Sequence, residues 1–330
     1  MLGFFLTLLL AGSNALYDDP AADRLIRTAE ESTYMLHLDD ARVAARELQQ
    51  RYPDHPAGFL IMAETYWWEA QADPHNLKTE SAYYKAQELA QDKAESALRA
   101  RTYSKVEILA YLASAHGSYA RFEVTQKSSY YRALRAGLRA HRYAEEAYAL
   151  DQNYYDIYVG LGAFNYFAGT LPSMIKPFAW LLGAHGDKDT GVKQLQTAIE
   201  KGRYSRTEAS IVYYSALLSN KEYAASFPIL EKLLADYPDN LVLYEWVTEW
   251  YREQRKNLDG AEYFERMYQQ QVSRSPKMAG YALLEKVDLQ LAQNRKNEAL
   301  QTLQRLKGIP ISDPLLAKKV QALEIESRKP

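Results

Sequence analysis

The 330-residue chain has no cysteine, which excludes disulfides, thiol nucleophiles, zinc-thiolate sites and a lipid-modified cysteine together. Stability must therefore come from packing. An excess of charge is also missing: 40 basic side chains stand against 42 acidic ones, a formal charge of −2. No overall field draws such a chain to nucleic acid, which is not an expected partner. Sustained alternation of Val, Ile and Thr is absent, so no β-sheet is needed. The signatures of common chemistries are lacking too. There is no Gly-x-Ser-x-Gly elbow or phosphate loop, and Gly160 and Gly162 in "GLGAFNYFAG" follow no strand and lack the third glycine of a dinucleotide fingerprint. The six histidines (His37, His55, His75, His116, His141, His185) are dispersed, without the i, i+4 pairing that builds a zinc site, and read as surface or capping residues. "HGDKDTG" brings His185, Asp187 and Asp189 together, yet Gly191 and Ala198 stand where a calcium loop needs oxygen ligands. Its better reading is a helix cap from Asp187 or Asp189 before Thr190, with Gly186 and Gly191 easing the turn. No catalytic residue, metal or cofactor is expected.

What is present is helical period almost throughout. "DDARVAARELQQRYPDHP" puts Ala41, Ala45 and Leu48 on one face and stops at a proline turn. Breaks near residues 52, 73, 130, 150, 169, 185, 202, 237, 274 and 308 are among the short connections of about fourteen helices. The first seventeen residues are uncharged, and the apolar run 2–11 has the length of a signal-peptide core. Ser13-Asn14-Ala15 supplies small residues before a scissile bond, which makes residues 1–15 a signal peptide and Leu16 the first mature residue. The expected location is periplasmic or secreted. The basic n-region is missing, so an N-terminal membrane anchor or a buried terminal helix is the alternative.

Self-similarity defines the kind of helical protein. Pro53 precedes Phe59, Met62, Ala63 and Tyr66 in the same phase in which Pro238 precedes Tyr244, Val247, Thr248 and Tyr251. Further copies run through Tyr158, Leu161 and Gly162, and through Met278, Tyr281 and Ala282. Small or apolar residues recur on the partner helices, as at Ala140, Ala144 and Ala147 or Ser226, Leu230 and Leu233. These residues resemble the tetratricopeptide repeat over residues 21–307, where a small side chain lets two helices cross closely. The resemblance implies an all-α solenoid of about seven helical hairpins, acting as a non-catalytic protein-binding scaffold. The mature segment 16–330 is expected to be one domain, with an insertion at 70–105 and an apolar insertion at 169–186. Within 156–215, Gly162, Phe164, Leu171, Pro172, Gly183, Gly186, Asp187 and Gly191 distantly resemble the tetratricopeptide-repeat 39 and inclusion-body-clearance proteins. That family's lipid and protein-turnover roles are not carried across.

Three surfaces are candidates for binding. First helices of stacked hairpins line a concave groove, which would present Glu64, Trp67, Trp68, Tyr166, Phe167, Glu245, Glu249 and Arg252 to a peptide or partner protein; Trp67 and Trp68 could equally be core. Arg132, Arg135, Arg139 and Arg142 follow a 3, 4, 3 spacing along one helical face, suited to carboxylates, phosphates or anionic lipid; a solvated face paired with neighbouring acids is the plain alternative. Residues 157–175 carry no charge, but Pro172 and Pro177 forbid one continuous helix, so a membrane span is not expected. The run should divide into a repeat helix and a short inserted helix with Phe178 and Trp180, buried in the concave face or exposed as an apolar paddle. With the arginine face, that paddle would allow docking on a lipid surface. An all-helical hydrolase or lyase with a groove-borne site is a third possibility.

Overall fold

The computed structural model describes residues 15–328 except 75, 172, 175, 182, 311 and 312. Residues 1–14, and with them nearly all of the expected signal peptide, lie outside the described residues. Sixteen α-helices and no strand are found among those described. They pair as α1 (Pro20–Tyr34) with α2 (Leu38–Arg51), α3 (Ala57–Ala72) with α4 (Leu77–Ala100), and α5 (Lys105–Thr125) with α6 (Tyr130–Leu150). Next come α7 (Tyr158–Gly169), the short α8 (Lys176–Leu181) and α9 (Lys188–Lys201), then α10 (Arg206–Ser219) with α11 (Tyr223–Asp236). The array ends in α12 (Leu241–Glu253) with α13 (Asn257–Gln271), α14 (Pro276–Leu291) with α15 (Lys296–Lys307), and the unpaired α16 (Pro314–Ser327). Each first helix packs on its own partner, and second helices pack on the next hairpin, as in α2 on α3, α4 on α5 and α13 on α14. The fold is thus an all-α solenoid of seven hairpins and a closing helix.

Residues 70–105 are not an insertion into this succession. They hold α4, which packs on α3 and α5 as any second helix would and is simply long, 24 residues. Ala90, Ala94 and Ala97 give it the small-residue seam that close packing needs. The short α8 does interrupt the order, because α7 packs directly on α9 across it. That crossing is very close: a Cβ on Gly162 would meet the Leu195 backbone nitrogen at 2.9 Å, and one on Gly191 would meet the Tyr166 nitrogen at 2.5 Å. Gly191 therefore serves helix contact within α9 rather than the turn before it. Asp187 is the cap, its Oδ1 accepting from the Thr190 N–H at 2.8 Å.

The largest apolar cluster runs from Trp67 and Trp68 through Tyr214 and Val247 to Leu316. It spans first helices far apart in sequence because the superhelix curls until its early and late hairpins meet. Trp68 of α3 stacks on Trp246 of α12 at 5.9 Å, and Trp246 on Tyr214 at 5.7 Å. At the same seam Asn240 donates through Nδ2 to the Tyr34 carbonyl at 2.8 Å, His37 Nε2 lies 2.8 Å from Asp239, and Lys318 pairs with Asp73 at 2.6 Å. No described helix is long and apolar enough to cross a membrane.

Candidate binding surfaces

Curling converts most of the expected groove into interior. Trp67 and Trp68 are each 2% exposed, and Tyr166 is fully buried. The Tyr166 hydroxyl donates to Glu222 at 3.1 Å and accepts from Asn220 at 2.9 Å. The expectation that these three rings line an open groove is corrected: Trp68 stacks on Trp246 where α3 meets α12, Trp67 lies under Arg121, and Tyr166 sits where α7 packs on α9 and α10. Glu64 pairs with Arg121 at 2.6 Å, Glu245 with Lys319, and Arg252 with Asp288 at 2.6 Å, so these charges serve the chain itself. Only Glu249 and Phe167 of the set are exposed.

Arg121 of α5 is central to the interior. It bonds Glu64 of α3 and Glu208 of α10, and its guanidinium lies 4.0 Å from the Trp67 ring centre. Burial alone would lower its pKa, but the two carboxylates outweigh that and raise it. Beside this triad is a cavity of about 70 Å³ lined by Glu30, Thr33, Tyr34, Glu64, Trp68 and Tyr111. One water requires roughly 10–15 Å³ of such space, so several waters or one ammonium or guanidinium head would fit. Thr33 is satisfied by the Ala29 carbonyl at 2.7 Å. Glu30, the Tyr34 hydroxyl and the Tyr111 hydroxyl have no side-chain hydrogen bond among the described residues, and Glu30 has no ion pair. Burial, then the Asp156 charge, push the Glu30 carboxyl well above the usual carboxylate range; Asp23 and Glu208 act the same way and Arg27 opposes. Burial also raises Tyr34 and Tyr111, keeping both phenols neutral. A larger open hollow of about 310 Å³ between α15 and α16 differs, since its charged wall residues are engaged: Lys307 pairs with Glu324 at 2.5 Å and Asp313 accepts from the Tyr281 hydroxyl.

On the outer side, Arg132, Arg135, Arg139 and Arg142 are all exposed on α6, as their spacing requires. Arg132 lies 3.7 Å from Glu123, whereas the other three have no ion pair among the described residues. Leu134 and Leu138, on the adjoining face of α6, pack with Phe164 and Ala168 of α7 and with Leu171 and Ala184, which flank α8 in sequence. The arginine face and the apolar insertion are therefore neighbours. Trp180 is 52% exposed and Met174 and Leu181 each 85%, with Tyr130 and Tyr131 exposed at the start of α6. Met174, Trp180 and Leu181 of the insertion thus face solvent. The Phe178 side chain lies outside the described residues.

Sequence reasoning placed all six histidines at surfaces or caps, yet His55 and His116 are buried. Burial, reinforced by Arg139 and Arg142, lowers His116 to about 4. His75 lies outside the described residues. The described residues hold no group of three or more potential metal ligands. Glu30, Tyr111 and Arg121 were missed, because their convergence depends on helices more than eighty residues apart.

No protein-family model and no curated protein matches the chain. Among solved structures it is similar to a tetratricopeptide repeat protein from Parabacteroides merdae, at 13% identity and a TM-score of 0.36, over 92% of this chain and 99% of that one.

Proposed function

We propose that the protein is a non-catalytic binding scaffold whose interior cavity receives a cationic side chain, lysine or arginine, from a protein or peptide partner. The observation that carries this reading is the group of unpartnered oxygens in the cavity, the Glu30 carboxyl and two phenols, with Trp68 in the same wall. Three oxygens without a protein partner favour a group that brings several N–H donors, an ammonium or guanidinium, whose charge would also ionise the Glu30 carboxyl, and the neighbouring aromatic rings add cation–π attraction. The second carboxylate, Glu64, disfavours an anion. The distant likeness of residues 156–215 to the tetratricopeptide-repeat 39 proteins adds no chemistry.

The probe is Nα-acetyl-lysine methylamide, with the norleucine analogue as its uncharged counterpart. The indole N–H resonance of Trp68, assigned with Trp68→Phe, is followed during titration. The lysine amide should shift it and the norleucine amide should not, and Glu30→Gln should weaken binding about tenfold. An equal response to both amides defeats the proposal.

A second reading is favoured by the contiguity of the arginine face with Trp180, Met174 and Leu181: contact with an anionic lipid surface, basic side chains on the headgroups and apolar ones below. The expected result is flotation with phosphatidylglycerol vesicles but not with phosphatidylcholine, abolished by Arg135→Glu with Arg139→Glu and reduced by Trp180→Asp. Equal flotation with both vesicles, or with neither, removes it. Export of the chain is proposed separately, on the uncharged first seventeen residues and the apolar run 2–11 with the length of a signal-peptide core.

A further inference from the structure

Upstream of α1, the chain is tucked into the core rather than left outside it. Ala15 is 6% exposed and Leu16 4%, Leu16 packing with Ile26, Leu48 and Ile61. The Arg203 guanidinium donates to the Tyr17 carbonyl at 3.2 Å and lies 5.0 Å from the Tyr17 ring centre. Asp19 then caps α1, accepting from the Ala21 N–H at 2.8 Å and the Tyr52 hydroxyl at 2.6 Å. At the deepest point the Leu16 backbone nitrogen donates to Glu107 Oε2 at 2.9 Å.

Glu107 is a fully buried carboxylate on α5. Its other oxygen, Oε1, has no hydrogen bond and faces His55 Nε2 at 3.7 Å, which is equally unpartnered. His55 Nδ1 accepts from the Ala57 N–H at 3.2 Å, which places the neutral ring's proton on Nε2. The rings of Tyr103 and Tyr111 meet His55 edge-on at 4.6 and 5.0 Å. Among the described residues no lysine or arginine is within ion-pair distance of Glu107. One neutral amide is thus the whole hydrogen-bond complement of a buried carboxylate, and such a group requires a countercharge.

We infer that the chain is cut between Ala15 and Leu16, and that the new Leu16 α-ammonium forms a buried ion pair with Glu107. Hydrolysis by a signal peptidase adds one water across the Ala15–Leu16 amide, leaving a carboxylate on Ala15 and an amine on Leu16 that takes up a proton. The nitrogen already lies at bonding distance, so processing changes its charge and donor number without moving it. Cutting must precede folding, because the bond is buried once α1 docks. It removes the Ala15 carbonyl that accepts from the Asp18 N–H at 3.1 Å, but Asp18 is exposed and water replaces it. Full stability is therefore reached only by the trimmed chain, which leaves the precursor looser during export.

The test compares residues 16–330, released with a free Leu16 amine by a protease that leaves no residue behind, with the chain from Ala11, and each with Glu107→Gln. The trimmed chain should melt about 5 °C higher than the extended one, and Glu107→Gln should erase the difference. Equal melting, or a difference that persists in Glu107→Gln, overturns the pair. In case Glu107→Gln does not fold, acetylation of the trimmed native protein is a second measure: the Leu16 amine should be shielded, and reaction at the rate of an exposed amine overturns the inference. N-terminal sequencing of the protein from its host should read Leu-Tyr-Asp-Asp; any other mature start overturns the cut.

Discussion

The concave interior and the outer rim of α6 and α8 carry the same kinds of side chain in opposite states. In the interior, Arg121 is held by two carboxylates and covers Trp67, while Trp68 is stacked on Trp246. On the rim, Arg135 and Arg139 have no carboxylate partner among the described residues, and Trp180 is half exposed. Tryptophan and arginine are favoured at binding surfaces, but they act there only when nothing in the chain has already engaged them. Composition alone does not separate the two cases.

The sharpest way to break the contrast is to truncate one tryptophan from each region. Trp68→Ala should lose about 3–5 kcal/mol in chemical denaturation, whereas Trp180→Ala should stay within about 0.5 kcal/mol; equal losses would erase the distinction. The arginines offer the next test. Arg121→Met leaves Glu64 and Glu208 facing each other and should cost about 3 kcal/mol, while Arg139→Met should again stay within about 0.5 kcal/mol. Glycines extend the comparison to the backbone. Gly162→Ala forces α7 off α9 and should cost about 1–3 kcal/mol. Gly137 of α6 has open space where its Cβ would be, so Gly137→Ala should raise stability by about 1 kcal/mol. The smallest effect is a pH dependence. Because the folded-state pKa of Glu30 is raised, the native state loses stability as pH rises above the unfolded value near 4.5. Glu30→Gln should flatten that limb of a stability profile measured from pH 4 to 8 and leave neutral-pH stability higher.

Much of the hairpin order was legible because proline turns and aromatic phase are local: Pro53 and Pro238 each mark a boundary between hairpins. Several turns escaped for a common reason. The connections after α1, α4, α10, α12 and α14 carry neither glycine nor proline at their left-handed position, which is Leu36, Arg101, Lys221, Arg255 or Asn294. In four of them a 6→1 bond closes the helix, from His37 to Ser32, Glu222 to Leu217, Lys256 to Tyr251 and Arg295 to Gln290, at 2.8–2.9 Å. A glycine would have printed the turn in the sequence; these residues accept the strain of a positive φ instead. Of the candidate surfaces, the arginine face was readable from spacing along one helix. Groove closure was not, since it depends on residues such as Tyr34 and Asn240 that no local pattern links.

That closure also limits how this architecture can change. An open repeat array grows or shrinks by whole units, because each unit touches only its neighbours. Here an added hairpin between α5 and α11 would carry Asn240 away from Tyr34, Asp239 away from His37 and Trp246 away from Trp68. Repeat number is therefore a fixed quantity in this protein, and duplication, the ordinary route by which solenoids diversify, would have to rebuild its seam at every step.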